Sequence, residues 1–186
     1  MCIRDRDDAL HLNIYTANLD GNSLSRVRNL PFNNDEYSVM HPTLTKDGSR
    51  LYFSSNMPDG LGGFDLYYVN IDEGGRYSAP VNLGPGVNTE GNEVFPFIFR
   101  DDVLFFASNA HPGLGGLDVY MTVDLLTENQ QVLNMGSPFN TSSDDFCLYL
   151  DTQFKFGYIS SNRKGGKGED DIYSFKIDIP PPFGVD

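Results

Sequence analysis

The sequence has no tryptophan, two cysteines and few basic residues, with 13 Lys and Arg against 26 Asp and Glu. It also has no apolar run near the ~18–20 residues that a membrane-spanning helix needs. Each shortage excludes something. Cys2 and Cys147 make no CxxC, and no Cys/His spacing suits a metal, so zinc ribbons and dithiol redox centres are excluded. Cys147 lies in the apolar run Phe146–Leu150 and reads as a small buried hydrophobe. No apolar segment precedes Cys2, so this sequence gives no support for reading it as a lipid-modified start. The net charge of −13 repels a phosphate backbone and excludes nucleic acid as a partner; it reads as a solubility device. The opening MCIRDRDD matches neither a signal peptide nor the start of a domain. Residues 1–8 are expected to be non-native or unstructured.

What the chain has is 14 Phe, 10 Tyr, 19 Gly and 11 Pro, a mixture that suits short strands joined by tight turns. It also repeats itself. HPTLTKDGSRLYFSSNMPDGLGGFDLYYV starts at His41, FPFIFRDDVLFFASNAHPGLGGLDVYMTV at Phe95, and FCLYLDTQFKFGYISSNRKGGKGEDDIYSFKI at Phe146. Asn56, Asn109 and Asn162 are 53 residues apart (109−56 and 162−109), as are Asp65, Asp118 and Asp171, and Tyr67, Tyr120 and Tyr173. Three anchors in one register twice over are a repeat. Upstream, Asn13–Asp20 matches Asp65–Asp72, and linkers align from Asn29, Asn82 and Asn134.

Each unit reads as four strands. The first covers Pro42–Thr45, Val94–Phe99 and Phe146–Leu150. An Asp-Gly turn, Lys46-Asp47-Gly48, leads to the second, at Arg50–Ser55, Val103–Ser108 and Lys155–Ser160. The third covers Phe64–Ile71, Leu117–Leu125 and Asp171–Ile177, and a weaker fourth covers Tyr77–Leu83 and Gln131–Met135. No segment has a helical period; the nearest candidate, Asp124–Met135, falls where the other copies have strand–turn–strand and reads as a hairpin with a longer turn. Four short antiparallel strands per repeat of ~50 residues describe an all-β fold of β-propeller blades. The expected organisation is the end of a preceding blade and linker at 9–37, blades at 38–90 and 91–143, a partial last blade at 144–178, and a Pro-rich exit linker at 179–186. About three blades form an open arc of a larger ring, with a blade face exposed at each end.

Between the second and third strands stands a glycine-rich loop, anchored by Asn56, Gly62, Gly63, Asp65 and Tyr67, then by Asn109, Gly115, Gly116, Asp118 and Tyr120, then by Asn162, Gly165, Gly166, Asp171 and Tyr173. The glycines permit positive φ and close backbone approach. The Asn residues are expected to bond nearby backbone, and the Asp carboxylates to accept loop N–H groups. A phosphate cradle would need a helix after the glycines, and a strand follows. Gly165–Tyr173 fits the G-G-x-G-x-D-x-U-x calcium pattern, but calcium rolls repeat it every nine residues, and the other loops read G-x-G-G-x-D. No metal and no cofactor are expected.

EVFP…LFFASN…GLGGLDVY and DDF…GYISSNRKGGKGEDDIYSF resemble the WD40-like repeats called PD40, related to the TolB propeller. They are most similar to those of large OmpA-family proteins of the Gram-negative outer membrane and periplasm. The resemblance runs from about His11 to Lys176. It implies that the last repeat closes a propeller, followed by a small β-sandwich and a peptidoglycan-binding OmpA-like domain outside this sequence. Some members belong to the type IX secretion and gliding apparatus. The implied role is a non-catalytic scaffold or protein-interaction module, periplasmic or outer-membrane associated. Its partners would be envelope proteins, and it would reach peptidoglycan only through the further domain. Two other functions compete. One is a hydrolase propeller or peptidase gate; against it, His11, His41 and His111 occupy unrelated repeat positions, no G-x-S-x-G or H-E-x-x-H occurs, and the pairs Asp101-Asp102, Asp144-Asp145 and Asp170-Asp171 fall in turns. The other is direct glycan binding; against it, Tyr52, Phe53, Phe105 and Phe106 take strand positions suited to a core. A kelch-type propeller is the alternative fold, disfavoured by the absence of Trp.

Overall fold

The computed structural model describes residues 2–4, 11–100 and 103–178. Among the described residues, fourteen strands form four antiparallel sheets in chain order. The first holds β1 (Cys2–Arg4), β2 (Leu12–Asp20) and β3 (Ser23–Asn29). Two complete four-stranded blades follow. They are β4 (Val39–Leu44), β5 (Arg50–Ser55), β6 (Asp65–Asn70) and β7 (Val81–Asn82), then β8 (Glu93–Arg100), β9 (Val103–Ser108), β10 (Asp118–Val123) and β11 (Gln131–Asn134). The last sheet has three strands, β12 (Asp145–Leu150), β13 (Phe156–Ser161) and β14 (Asp171–Lys176). No helix occurs among the described residues, so none there is long and apolar enough to cross a membrane.

Strand pairing is local: within each sheet, strands consecutive in the sequence pair antiparallel. At the Asp-Gly turn, Gly48 takes φ 74° and its N–H donates to Thr45 O at 2.9 Å. The Asp47 carboxylate accepts Ser49 N–H at 3.0 Å and the Thr45 hydroxyl at 2.7 Å, and these bonds lower its pKa to about 2. Asp124–Gln130 turns the chain from β10 into β11, as the hairpin reading required.

The central strands β5 and β9 are buried on both faces because each is sandwiched between neighbouring sheets. Leu51 and Phe53 point to the preceding sheet and pack on Ile14, Leu30 and Phe32. Tyr52 points the other way, to Leu104, Phe106 and Tyr120 of the next blade. One blade further on, Phe105 and Met121 meet Leu148, Leu150 and Ile159 of the last sheet. A blade has two apolar faces and depends on its neighbours to cover them.

The last sheet has no neighbour on its far side among the described residues. Leu66, Val119 and Ile172 share one repeat position, and their exposures are 0%, 1% and 76%. Tyr158, in the place of the fully buried Tyr52, is 45% exposed. Replacing Ile172 by Ser is therefore expected to change stability by less than about 0.5 kcal/mol in urea unfolding; a larger loss would mean that the face is covered in solution.

Several expectations need correction. The first strand begins at Val39, ahead of Pro42, because a bulge between Met40 and Thr43 absorbs the proline. The fourth strand of the first complete blade shrinks to Val81–Asn82, where Pro80 has no N–H to offer; Tyr77 joins Ile71 by a single bridge. Cys147 is exposed, because its side of β12 is the open face. In the start expected to be unstructured, Cys2–Arg4 pairs with Leu12–Ile14 as β1. Any extended segment can satisfy the edge of β2, where a blade's second strand would otherwise lie. The expected linker, 179–186, lies outside the described residues.

Candidate functional site

The glycine loops are where the repeated polar residues converge. Asp65, 1% exposed, opens β6 and accepts Leu61 N–H at 2.6 Å, Gly62 N–H at 3.2 Å and the Asn82 amide at 2.7 Å. Asp118 accepts Leu114 and Gly115 N–H at 2.7 and 2.9 Å, and Asp171 accepts Lys167 and Gly168 N–H at 2.7 and 3.1 Å. The carboxylates close their own loops, as the sequence suggested.

The Asn anchors reach further than expected. Asn56 Oδ1 accepts Ser38 N–H, Asn109 Oδ1 accepts Asn92 N–H and Asn162 Oδ1 accepts Asp144 N–H, all at 2.8 Å. Each bond spans 17 or 18 residues and ties the end of the second strand to the entry of the first. The glycines also differ from expectation. Of the six anchor glycines, only Gly165 has positive φ, at 96°. Gly62 and Gly115 are glycines because the next blade touches them: a Cβ on Gly62 would lie 2.5 Å from Gly91 O and 2.7 Å from Glu90 C. In the last blade Gly166 takes the place of Gly60 and Gly113, beneath the Asp and Tyr side chains, and Gly168 takes that of Gly62 and Gly115. The matched glycine pairs of the sequence are thus offset in the third copy.

The loop is an inter-blade joint. Gly63 N–H donates to Gly91 O at 2.7 Å, Phe64 N–H to Asn92 Oδ1 at 3.1 Å, and Glu93 N–H to Phe64 O at 2.6 Å. At the next joint Leu117 N–H donates to Asp144 Oδ1 at 2.8 Å and Asp145 N–H to Leu117 O at 2.7 Å.

A second set of residues escaped the sequence reading. Asn88 grips the Leu66 peptide from both sides, accepting its N–H at 2.8 Å and donating to its C=O at 3.0 Å. Asn140 does the same to Val119 at 2.8 and 2.9 Å, and Asn33 to Ile14 at 3.2 and 2.6 Å. Two carboxylates are also fully buried at blade entries. Glu93 binds Thr89 and the Ser108 hydroxyl; Asp145 binds Thr141 and pairs with Arg163 at 2.6 Å. In the first complete blade the corresponding position is the apolar Val39, which faces Ser55 as Glu93 faces Ser108.

Of the carboxylate pairs weighed for catalysis, Asp144-Asp145 is held in a joint and Asp171 in the loop of the last blade. Asp144 serves Leu117 and Asn162, Asp145 pairs with Arg163, and Asp171 closes its loop. Asp101-Asp102 lies outside the described residues. His111 lies by an inter-blade linker, Nε2 2.8 Å from Val87 O.

His41, Phe95 and Cys147 form a row on the adjacent first strands β4, β8 and β12, each at a bulge and at φ 53°, 54° and 51°. The sequence did not show this register, since the three residue types differ. The His41 ring stacks on Phe95 at 3.9 Å, and His41 Nδ1 accepts Phe95 N–H at 3.2 Å, so the neutral ring carries its proton on Nε2. Burial lowers the His41 pKa from 6.5 to about 4. Between those values the unfolded chain binds a proton that the folded chain refuses, so stability rises with pH. His41's contribution is present above pH about 6.5 and is lost as pH falls through about 4. The loss is at most about 3 kcal/mol. His41→Phe is expected to flatten the melting temperature across that window; an unchanged slope would assign the titration elsewhere.

No family model matches the chain, and no curated protein matches it. Among solved structures, TolB from Acinetobacter baumannii superposes with a TM-score of 0.54 at 12% identity, over 90% of this chain and 36% of that one. A puromycin-hydrolyzing peptidase of Mycobacterium tuberculosis gives 0.56 at 15%, over 98% and 28%. A thermostable family-43 glycoside hydrolase gives 0.58 at 12%, over 98% and 68%. The chain therefore spans about a third of the TolB and peptidase chains and about two thirds of the glycoside hydrolase. At these identities the likeness is one of fold. The chain is an array of β-propeller blades, and its fold is TolB-like.

Proposed function

We propose that this chain is a non-catalytic propeller scaffold, a protein-interaction module of an OmpA-family cell-envelope protein. It would act in the periplasm or at the outer membrane of a Gram-negative bacterium. A peptidoglycan-binding domain elsewhere in the polypeptide would tether it, and a type IX secretion assembly is the candidate complex. One observation carries the reading: the polar side chains that recur from blade to blade are bonded to backbone of their own blade or the next. Asp65, Asp118 and Asp171 close loops, Asn88 and Asn140 hold strands, and Glu93 and Asp145 secure blade entries. Side chains spent on holding a platform suit binding better than turnover.

The experiment is to sequence the reading frame on both sides and to assay the chain on peptide, glycan and peptidoglycan panels. The reading expects an OmpA-like domain downstream, more blades upstream, no turnover, and no saturable peptidoglycan binding by these residues alone. A downstream α/β-hydrolase domain would make the propeller a peptidase gate. Turnover lost on mutating Asp144-Asp145 would make it an enzyme.

A further inference from the structure

Three aspartates are followed directly by glycine: Asp20-Gly21, Asp47-Gly48 and Asp59-Gly60. In such a pair the glycine nitrogen can reach the aspartate side chain, because no Cβ on the second residue blocks the approach. The structure separates the three by what holds the reacting groups. Asp47 is fully engaged: it accepts Ser49 N–H at 3.0 Å and the Thr45 and Ser49 hydroxyls at 2.7 and 2.9 Å. These bonds keep it ionised down to pH about 2, and a carboxylate anion is a poor electrophile. The Gly48 N–H is tied as well, to Thr45 O. Asp20 is bonded to the Ser25 hydroxyl. Asp59 and Gly60 are exposed, and among the described residues neither the Asp59 carboxylate nor the Gly60 N–H has a hydrogen-bond partner.

Asp59 is also peculiar to its copy of the loop. Pro112 and Gly165 stand at the same repeat position (112−59 and 165−112), and neither has a side-chain carboxyl to react. Asp59 takes φ 69°, a left-handed conformation that is unfavourable for a residue with a Cβ. The chain is fastened on both sides of it. Asn56 accepts Ser38 N–H, and Leu61 N–H donates to Asp65 at 2.6 Å. Gly62 then lies against backbone of the next blade.

We propose that Asp59-Gly60 is a site of spontaneous isoaspartate formation in the folded protein. The Gly60 amide nitrogen attacks Cγ of the protonated Asp59 side chain. A C–N bond forms, the amide proton and the carboxyl hydroxyl leave as water, and a cyclic succinimide results. Water then opens the ring. Attack at Cγ restores aspartate. Attack at the main-chain carbonyl carbon leaves the backbone running through the Asp59 side chain, with an added methylene and a free α-carboxylate. Water is the sole co-reactant, and nothing is oxidised or reduced. Because Asn56 and Leu61 are fastened, the added methylene bulges into solvent and the new carboxylate stands on the surface. The class of reaction that consumes this product is methyl transfer to an isoaspartyl carboxylate.

The test ages the full chain at neutral pH and physiological temperature. Digestion, electron-transfer fragmentation and labelling with an isoaspartyl O-methyltransferase then locate the product. A species one water lighter is expected in the peptide that contains Asp59, followed by isoaspartate at that residue. Its rate should exceed those at Asp20 and Asp47 by at least about tenfold. In urea, where the bonds that hold Asp20 and Asp47 are lost, the three rates should converge. Asp59→Glu, which would need a larger ring, should abolish the signal at that position and leave the melting temperature unchanged. Isoaspartate forming as fast at Asp20 or Asp47 as at Asp59 in the folded chain would overturn the proposal. So would reaction at Asp59 in urea but not in the folded chain, since the loop would then hold the two groups apart. Neither outcome bears on the scaffold reading.

Discussion

Gly115→Ala is expected to destabilise the chain by about 3 kcal/mol or more, whereas Gly168→Ala, one repeat later, should be neutral or slightly stabilising. The two residues occupy the same position of the loop, 53 residues apart (168−115). Neither has positive φ, so alanine fits the backbone at both. They differ in what lies opposite. A Cβ on Gly115 would collide with Ser143 O and lie 2.8 Å from Thr141 O and 2.9 Å from Ser143 C, all backbone of the next blade. A Cβ on Gly168 meets nothing closer than Asp170 O at 3.5 Å, an ordinary contact. Backbone cannot swing aside as a side chain can, so the Gly115 variant must open the joint that carries Asp145 N–H to Leu117 O. Ordinarily, Gly→Ala at a compatible site stabilises by about 0.4–1 kcal/mol through the unfolded chain. The predicted sign thus reverses between two copies of one motif. Urea unfolding of both variants checks it, and equal midpoints would show that the loop is not a joint.

That contrast is partly legible in the sequence. The residue after the crowded glycine is Gly63 and Gly116 in the complete blades but Glu169 in the last. A Cβ on Gly63 would meet Asn92, and one on Gly116 would meet Asp144, both from the following blade. Position 169 tolerates a long charged side chain because no following blade stands there among the described residues. The exact 53-residue register revealed the strands, the loops and the carboxylates, because an antiparallel blade cannot shift its second and third strands without turning every side chain over. Three things stayed hidden. The bulge row of His41, Phe95 and Cys147 shares a backbone conformation, which any residue type can be forced to adopt at a cost. The Val39/Glu93/Asp145 position changes from apolar to charged, since either can be buried if its surroundings match. The clamping asparagines drift, with spacings of 55 and 52 (88−33 and 140−88), because the linkers that carry them differ in length. A search for fixed period passes over residues whose register is set by the hydrogen bond they make.

The drift makes the clamp a demanding prediction. Asn140→Ala is expected to cost about 2–5 kcal/mol, because it leaves two buried backbone groups without partners, each worth about 1–3 kcal/mol. Asn140 is 1% exposed, and the Val119 N–H and C=O it serves lie on β10, inside the sheet stack, where water cannot replace the amide. Its third bond, to Asn134 Oδ1 at 2.9 Å, also holds the linker at the blade edge. Asn140→Asp keeps the shape and the acceptor but removes the donor facing Val119 O, so it should recover little. If the amide merely filled space, Asp would rescue the Ala loss. Asn33→Ala should cost less, since Asn33 is only half-buried and its strand partner lies near an end of the stack. A clamp of this kind explains how linkers of unequal length can join blades of equal geometry. The asparagine fixes the linker to the third strand of its own blade, and the variation in length falls ahead of it, with 19, 22 and 21 residues between Ile14 and Asn33, Leu66 and Asn88, and Val119 and Asn140. From there the chain reaches the next blade's first strand in five or six residues (39−33, 93−88 and 145−140), and the glycine joint fixes it again. Two fastenings per junction, one within the blade and one between blades, suffice to hold a blade whose own sheet could not stay folded alone.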